Sequence, residues 1–77
     1  MNKKKSQHVV PHPDGGWSVK KGGSVKATKV FERQKEAIDF ARGISINQGA
    51  ELYIHGRDGM VREKDSYKKD LYPTLDK

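Results

Sequence analysis

The chain has no cysteine among its 77 residues. Neither a disulfide framework nor a thiolate metal site is therefore open to it. Apolar residues are also scarce, at 32%, and no apolar run approaches a membrane span or the hydrophobic region of a signal peptide. No membrane association is expected, and the chain reads as cytoplasmic. With 34% charged residues the composition approaches the disordered range, so folding has to be argued from pattern. The length allows one domain, near the lower limit for an unassisted core, with a net stability of roughly a few kcal/mol.

Acidic residues are nearly missing from the first two-fifths of the chain. Residues 1–31 carry Lys3, Lys4, Lys5, Lys20, Lys21, Lys26 and Lys29 against Asp14 alone. From Glu32 onward nine basic residues balance nine acidic ones, so the whole net charge of +6 sits in the first part. Such asymmetry suits an anionic partner, nucleic acid (DNA or RNA) above all. It equally serves solubility, with no partner at all. All seven cations are lysines, whereas the arginines that make bidentate base contacts lie in the neutral part.

Signals for catalysis are missing as well. No serine or threonine stands in a nucleophile-elbow context, and no GxxxxGK[ST] phosphate loop occurs. Paired carboxylates would need a cleft that so small a domain rarely encloses. No enzyme activity, catalytic residue or cofactor is expected. The stretch IHGRDGMVREKDSY, residues 54–67, does gather His55, Asp58, Glu63 and Asp65. A metal site, however, needs ligands converging from fixed positions, and Asp58 before Gly59 is explained by turn chemistry. No metal site is expected.

What is present is a run of short periodic elements. Residues 1–6 read as a disordered basic tail. Val9 and Val10 mark a first strand, Pro13, Asp14, Gly15 and Gly16 a four-residue turn, and Trp17 to Lys20 a second strand. That turn length sets His12 opposite Trp17 and Val10 opposite Val19, with Val10, Trp17 and Val19 on the core face. Pro11 lacks an N–H, which places the first strand at an edge or ends it there. Residues 25–31, VKATKVF, are β-branched enough for a third strand.

From Arg33 to Gln48 the period changes. Ala37, Ile38, Ala41, Ile44 and Ser45, flanked by Phe40, form one apolar stripe of an amphipathic helix. Glu32 and Glu36 suit its positive end, and Gly49 its C-terminal cap. AELYIH is then a strand, and Met60 to Lys64 another. A four-residue loop, residues 56–59, would pair Ile54 with Val61 on the core face and Tyr53 with Arg62 on the outer face. A shorter loop would put Ile54 opposite Glu63, a poorer match. Residues 68–77 read as a charged C-terminal tail.

Three stretches, HVVPHPDGGWSVK, ATKVFERQKEAIDFAR and ELYIHGRDGMVREKDSY, carry a resemblance to DUF2188, a family of small bacterial and phage proteins of unknown function. They cover about residues 7–67. Family members typically continue after Ser-Tyr with a Gly-x-Asp-Pro-like stretch, where this chain has Lys68, Lys69, Asp70 and Leu71. The resemblance implies a compact ββαββ-type domain and brings no activity, substrate or site residue with it. Residue pattern and resemblance together point to a small α+β fold. One domain over residues 7–67 would hold a mostly antiparallel sheet in ββ(β)αββ order, with one helix on one face. The layout is also similar to the arm-type DNA-binding domains of phage integrases.

Two functions follow. The first is a non-enzymatic nucleic-acid-binding module. Lys20, Lys21, Lys26 and Lys29 of the lysine-rich hairpin would contact phosphates, and Tyr53 with Arg62 would stack on or read a base. A Tyr–Arg pair also stabilises an exposed sheet without any ligand. His8 and His12, four apart along a strand, face one side and either meet phosphate or occupy a sheet edge. Trp17 is assigned to the core. The second function is a protein-interaction module, a regulator or a phage-encoded inhibitor of a host protein, acting through a sheet edge or a homodimer. The chain would be a monomer or a weak homodimer.

Overall fold

A computed structural model of the chain describes residues 5–67. Five strands and one helix follow in the order β1 (Ser6–Pro11), β2 (Trp17–Lys21), β3 (Ala27–Phe31), α1 (Gln34–Gln48), β4 (Glu51–His55) and β5 (Val61–Ser66). The strands form one sheet in the order β3-β2-β1-β4-β5, with α1 packed on one face. The α+β class and the element order agree with the sequence. The expected boundary at residue 7 comes slightly late, since Ser6 already belongs to β1 and the Lys5 carbonyl accepts the Glu51 N–H at 3.0 Å. Most of the two expected tails lies outside the described residues.

The sheet is mostly antiparallel, as expected, with one parallel pairing. Three pairings are antiparallel, but β1 and β4, the two halves' inner strands, run parallel. Parallel neighbours need a crossover. Here α1 supplies it, carrying the chain from the edge strand β3 over the sheet to β4. Pro11 does end β1, yet β1 is no edge strand. Its ladder to β4 runs from Ser6 to Val9 and stops before the missing N–H would be needed.

Both hairpins close with three-residue loops rather than the four expected, and by the same device. His12 N–H donates to Gly16 O at 2.9 Å and Gly15 N–H to His12 O at 3.0 Å; Gly56 N–H donates to Met60 O at 2.8 Å and Gly59 N–H to Gly56 O at 2.9 Å. Each loop is a turn followed by a left-handed residue, a place glycine takes at no steric cost. Those residues are Gly15 (φ 99°) and Gly59 (φ 85°). The sequences x-Pro-Asp-Gly-Gly and x-Arg-Asp-Gly-Met are two versions of one loop.

The shorter loops shift the registers. Pro11 pairs with Trp17 and Val9 with Val19, so Val9 rather than Val10 joins Trp17 and Val19 in the core. In the second hairpin His55 pairs with Val61, a bulge follows, and Ile54 then faces Glu63 and Tyr53 faces Lys64. The pairing that looked unfavourable is thus the observed one. It is tolerated because β5 is an edge strand, where the exposed Glu63 carboxylate turns into water.

The core comprises Val9, Trp17, Val19, Ala37, Ala41, Leu52 and Ile54, with Phe31, Ile38, Phe40 and Tyr67 packed at its rim. Helix residues buried against the sheet are Ala37, Ala41 and Ser45, spaced by four. Their small side chains bring the helix axis close to the strands, and Ser45 returns its hydroxyl to Ala41 O at 2.8 Å. Gly49 ends the helix in the left-handed conformation (φ 67°), as its position implied.

Candidate functional site

The face of the sheet opposite α1 has no element packed on it among the described residues. Strand registers set its layout. Lys20 pairs with His8, His8 with Tyr53 and Tyr53 with Lys64. Four side chains from four adjacent strands therefore stand in one row across this face. With neighbouring strands about 4.8 Å apart, the row spans about 14 Å.

The middle of the row is aromatic. The His8 and Tyr53 rings stack with centroids 4.8 Å apart and planes 10° from parallel. Lys64 Nζ lies 5.5 Å from the Tyr53 ring centroid, a cation on the ring's other face. The Tyr53 hydroxyl donates to Glu51 Oε1 at 2.7 Å, and this bond is the main reason the phenol titrates above its ordinary range. The ring is thus held from three sides.

His8 is also part of a hydrogen-bonded chain whose tautomers follow by elimination. His55 Nδ1 lies 2.9 Å from Gly59 O, which can only accept, so Nδ1 carries the proton. Neutral His55 then offers a lone pair at Nε2, and His8 Nδ1, 3.1 Å away, must donate. His8 Nε2 is left as an acceptor, and Ser6 Oγ donates to it at 3.3 Å. Burial, and secondarily the charge of His55, push the His8 pKa below 6.5.

The residues singled out from sequence divide accordingly. Tyr53 and Lys20 share the row. Arg62, expected opposite Tyr53, is turned to the other face by the shorter loop and lies in the bulge, beside Gly56 and Trp17 at the edge of the helix face. Lys29 pairs with Val19 and reaches along the Phe31 and Phe40 rings, 5.2 and 5.6 Å from their centroids, on the helix side. Lys21 and Lys26 line another cleft, with Gln7 and Ile44. The four lysines are therefore not one surface. His12 closes the first turn, its Nδ1 accepting the Asp14 N–H, and so is not a companion of His8. His8 and Lys64 complete the row, with His55 hydrogen-bonded to His8 beside it; the parallel β1–β4 pairing that brings His8 to Tyr53 and His55 is encoded by no local pattern.

Asp58 accepts the Met60 N–H at 3.0 Å, the turn role assigned to it. Glu63 pairs with Ile54, whose neighbour His55 points to the opposite face. Among the described residues no three His, Asp or Glu side chains are grouped to hold a metal ion, and no helix is long and apolar enough to cross a membrane.

A family model described as "Uncharacterized protein conserved in bacteria (DUF2188)" matches residues 7–67. The chain belongs to the DUF2188 family. It is also 37% identical over 60 residues to "Uncharacterized protein YdaT" of Bacillus subtilis (strain 168), an overlap covering 78% of this chain and 39% of that protein. The chain thus spans about two-fifths of that relative's length. No solved structure matches. The DUF2188 segment runs from β1 to the residue after β5, and every member of the Lys–His–Tyr–Lys row falls inside it.

Proposed function

We propose that this DUF2188 chain is a non-enzymatic module that binds single-stranded nucleic acid on the face of its sheet opposite α1. The observation that carries the reading is the row Lys20, His8, Tyr53, Lys64, with two stacked rings between two cations. Aromatic rings give any base a stacking partner, and lysines beside them meet the backbone phosphates. Because His8 covers one face of the Tyr53 ring, a base stacks on the other. Lys64 occupies that face on a flexible stem, and swinging outward it exchanges the ring for a phosphate. Duplex DNA, whose bases are already stacked, offers this face only its phosphates.

Fluorescence anisotropy of labelled single-stranded DNA, single-stranded RNA and duplex DNA, each at about 50 and 200 mM salt, tests the reading. Single strands should bind more tightly than the duplex and keep part of their affinity at the higher salt. Equal, weak binding that vanishes for all three at about 200 mM would overturn it.

A second reading, association through a sheet edge, is favoured by one observation. Met60 and Val61, 68% and 52% exposed, stand at the start of the edge strand β5. An open edge is a template for another strand. Sedimentation equilibrium would show a dimer that Val61→Lys dissociates; a monomer at all concentrations would dismiss edge-to-edge self-association.

A further inference from the structure

On the helix side of the sheet, away from the aromatic row, lies a cleft of about 540 Å³ lined by Trp17, Glu32, Arg33, Gln34, Gly56, Arg57 and Arg62. Three of the chain's four arginines meet there. None of the three forms an ion pair among the described residues, in contrast to the fourth, Arg42, which reaches Asp39 at 3.8 Å. Among the described residues Glu32 is the one carboxylate that lines the cleft, which leaves their net charge at +2 from three cations and one anion.

Two of these guanidinium groups are seated rather than free. Arg57 lies over the Trp17 indole, 5.5 Å from the ring centroid. Arg62 lies against Gly56, a buried glycine at which a methyl group would collide with Arg62 Nε. The three-residue loop, by pairing His55 with Val61, turns Arg62 from the outer face to this position at the bulge. Gln34 Nε2 donates to His55 O at 3.2 Å and ties the start of α1 to the end of β4. Arg33, at the N-cap of α1, supplies no side-chain cap to the first turn.

We infer that this cleft binds a phosphate monoester. Planar guanidinium forks match phosphate oxygens two at a time. A monoester carries nearly two negative charges and three terminal oxygens, enough to engage all three arginines. A carboxylate, with one charge and two oxygens, leaves part of the +2 uncompensated. The ligand is either a free mononucleotide or the phosphorylated end of a nucleic-acid strand. The inference does not rest on the sheet-face reading, since the two surfaces share no residue.

Trp17, the single tryptophan of the chain, reports on the cleft and not on the row. Its fluorescence would be followed while a mononucleoside 5′-monophosphate is added, and separately a short single strand with a 5′-phosphate or a 5′-hydroxyl. A saturable response is expected, with the phosphorylated strand about tenfold or more tighter than its hydroxyl counterpart. Binding of the mononucleotide as tight as that of the phosphorylated strand identifies a free nucleotide as the ligand; much weaker binding identifies a strand end. Arg57→Gln and Arg62→Gln should each weaken the phosphate-dependent response about tenfold, and Glu32→Gln should strengthen it. Lys64→Gln should leave the preference for phosphate intact. Equal affinity for the two strands with no response to the mononucleotide overturns the inference, as does unchanged binding in both arginine variants.

Discussion

His8 on β1 and Tyr53 on β4 lie ring over ring, 4.8 Å apart, across the parallel pairing at the centre of the sheet. Residues 45 positions apart in sequence thus make one aromatic unit. Its position between Lys20 and Lys64, on a face that no element among the described residues covers, is what the functional proposal rests on.

Removing the Tyr53 ring should weaken binding to single strands. Stacking one base on an aromatic side chain is worth about 1–3 kcal/mol, so Tyr53→Ala should weaken affinity by roughly fivefold to a hundredfold or more. Tyr53→Phe loses the bond to Glu51 but keeps the ring, and should bind within about threefold of the parent. Anisotropy titrations of the two variants check this; equal losses would assign the effect to the hydroxyl rather than to stacking.

The imidazole pair should make the fold sensitive to acid. Burial and the neighbouring His55 hold the folded pKa of His8 below its ordinary 6.5, so between the two values the unfolded chain binds more protons. Stability then rises with pH through that window. The contribution is fully present above 6.5 and is lost as the pH falls through the lowered value. Urea midpoints at pH 7.5 and 5 should differ, with the lower one at pH 5. In His8→Gln the difference should narrow. An unchanged difference would assign the acid sensitivity to other groups.

The core should respond most to Leu52, a fully buried side chain of the inner strand β4. Leu52→Ala deletes methyl groups beneath the helix and should cost about 2–5 kcal/mol, much or all of the stability of so small a domain. Chemical denaturation gives the value. A loss under about 1 kcal/mol would mean that the site collapses to fill the space, or that Leu52 is not packed as described.

Gly59 fixes the second loop and with it the register that places Lys64 against Tyr53. Its φ of 85° costs a side chain about 1–2 kcal/mol. Gly59→Ala should lower stability by about that amount, and Gly59→Asn by less, since asparagine tolerates the left-handed region. Equal stability of all three proteins would show that the loop does not depend on that conformation.

Which of these features the sequence disclosed follows from how local each one is. The helix was legible because Ala37, Ala41 and Ser45 repeat at its period and Gly49 punctuates its end. The strands were legible from Val9, Val19, Leu52 and Ile54. Loop length was not legible to the residue, and both loops are one residue shorter than their sequences suggest. The Asp-Gly pairs fit a four-residue loop as well as a three-residue loop ending in a left-handed glycine, and the choice turns on backbone geometry. A one-residue slip turns over one strand of a pair relative to its partner; Val10 on β1 and Arg62 on β5 therefore lie on the faces not expected, while Lys20 on β2 and Tyr53 on β4 keep theirs. The pairing of His8 with Tyr53 and His55 depends on two hairpins meeting in parallel, and nothing in either hairpin's own pattern states that.

The most direct test of the sheet-face proposal is backbone amide NMR of the labelled protein titrated with a short single strand of DNA. Shifts should concentrate on His8, Lys20, Tyr53, His55 and Lys64, along the middle of the sheet. Shifts confined instead to Lys21, Lys26 and Lys29, with the row undisturbed, would contradict it and return the contact to the lysine-rich first part of the chain.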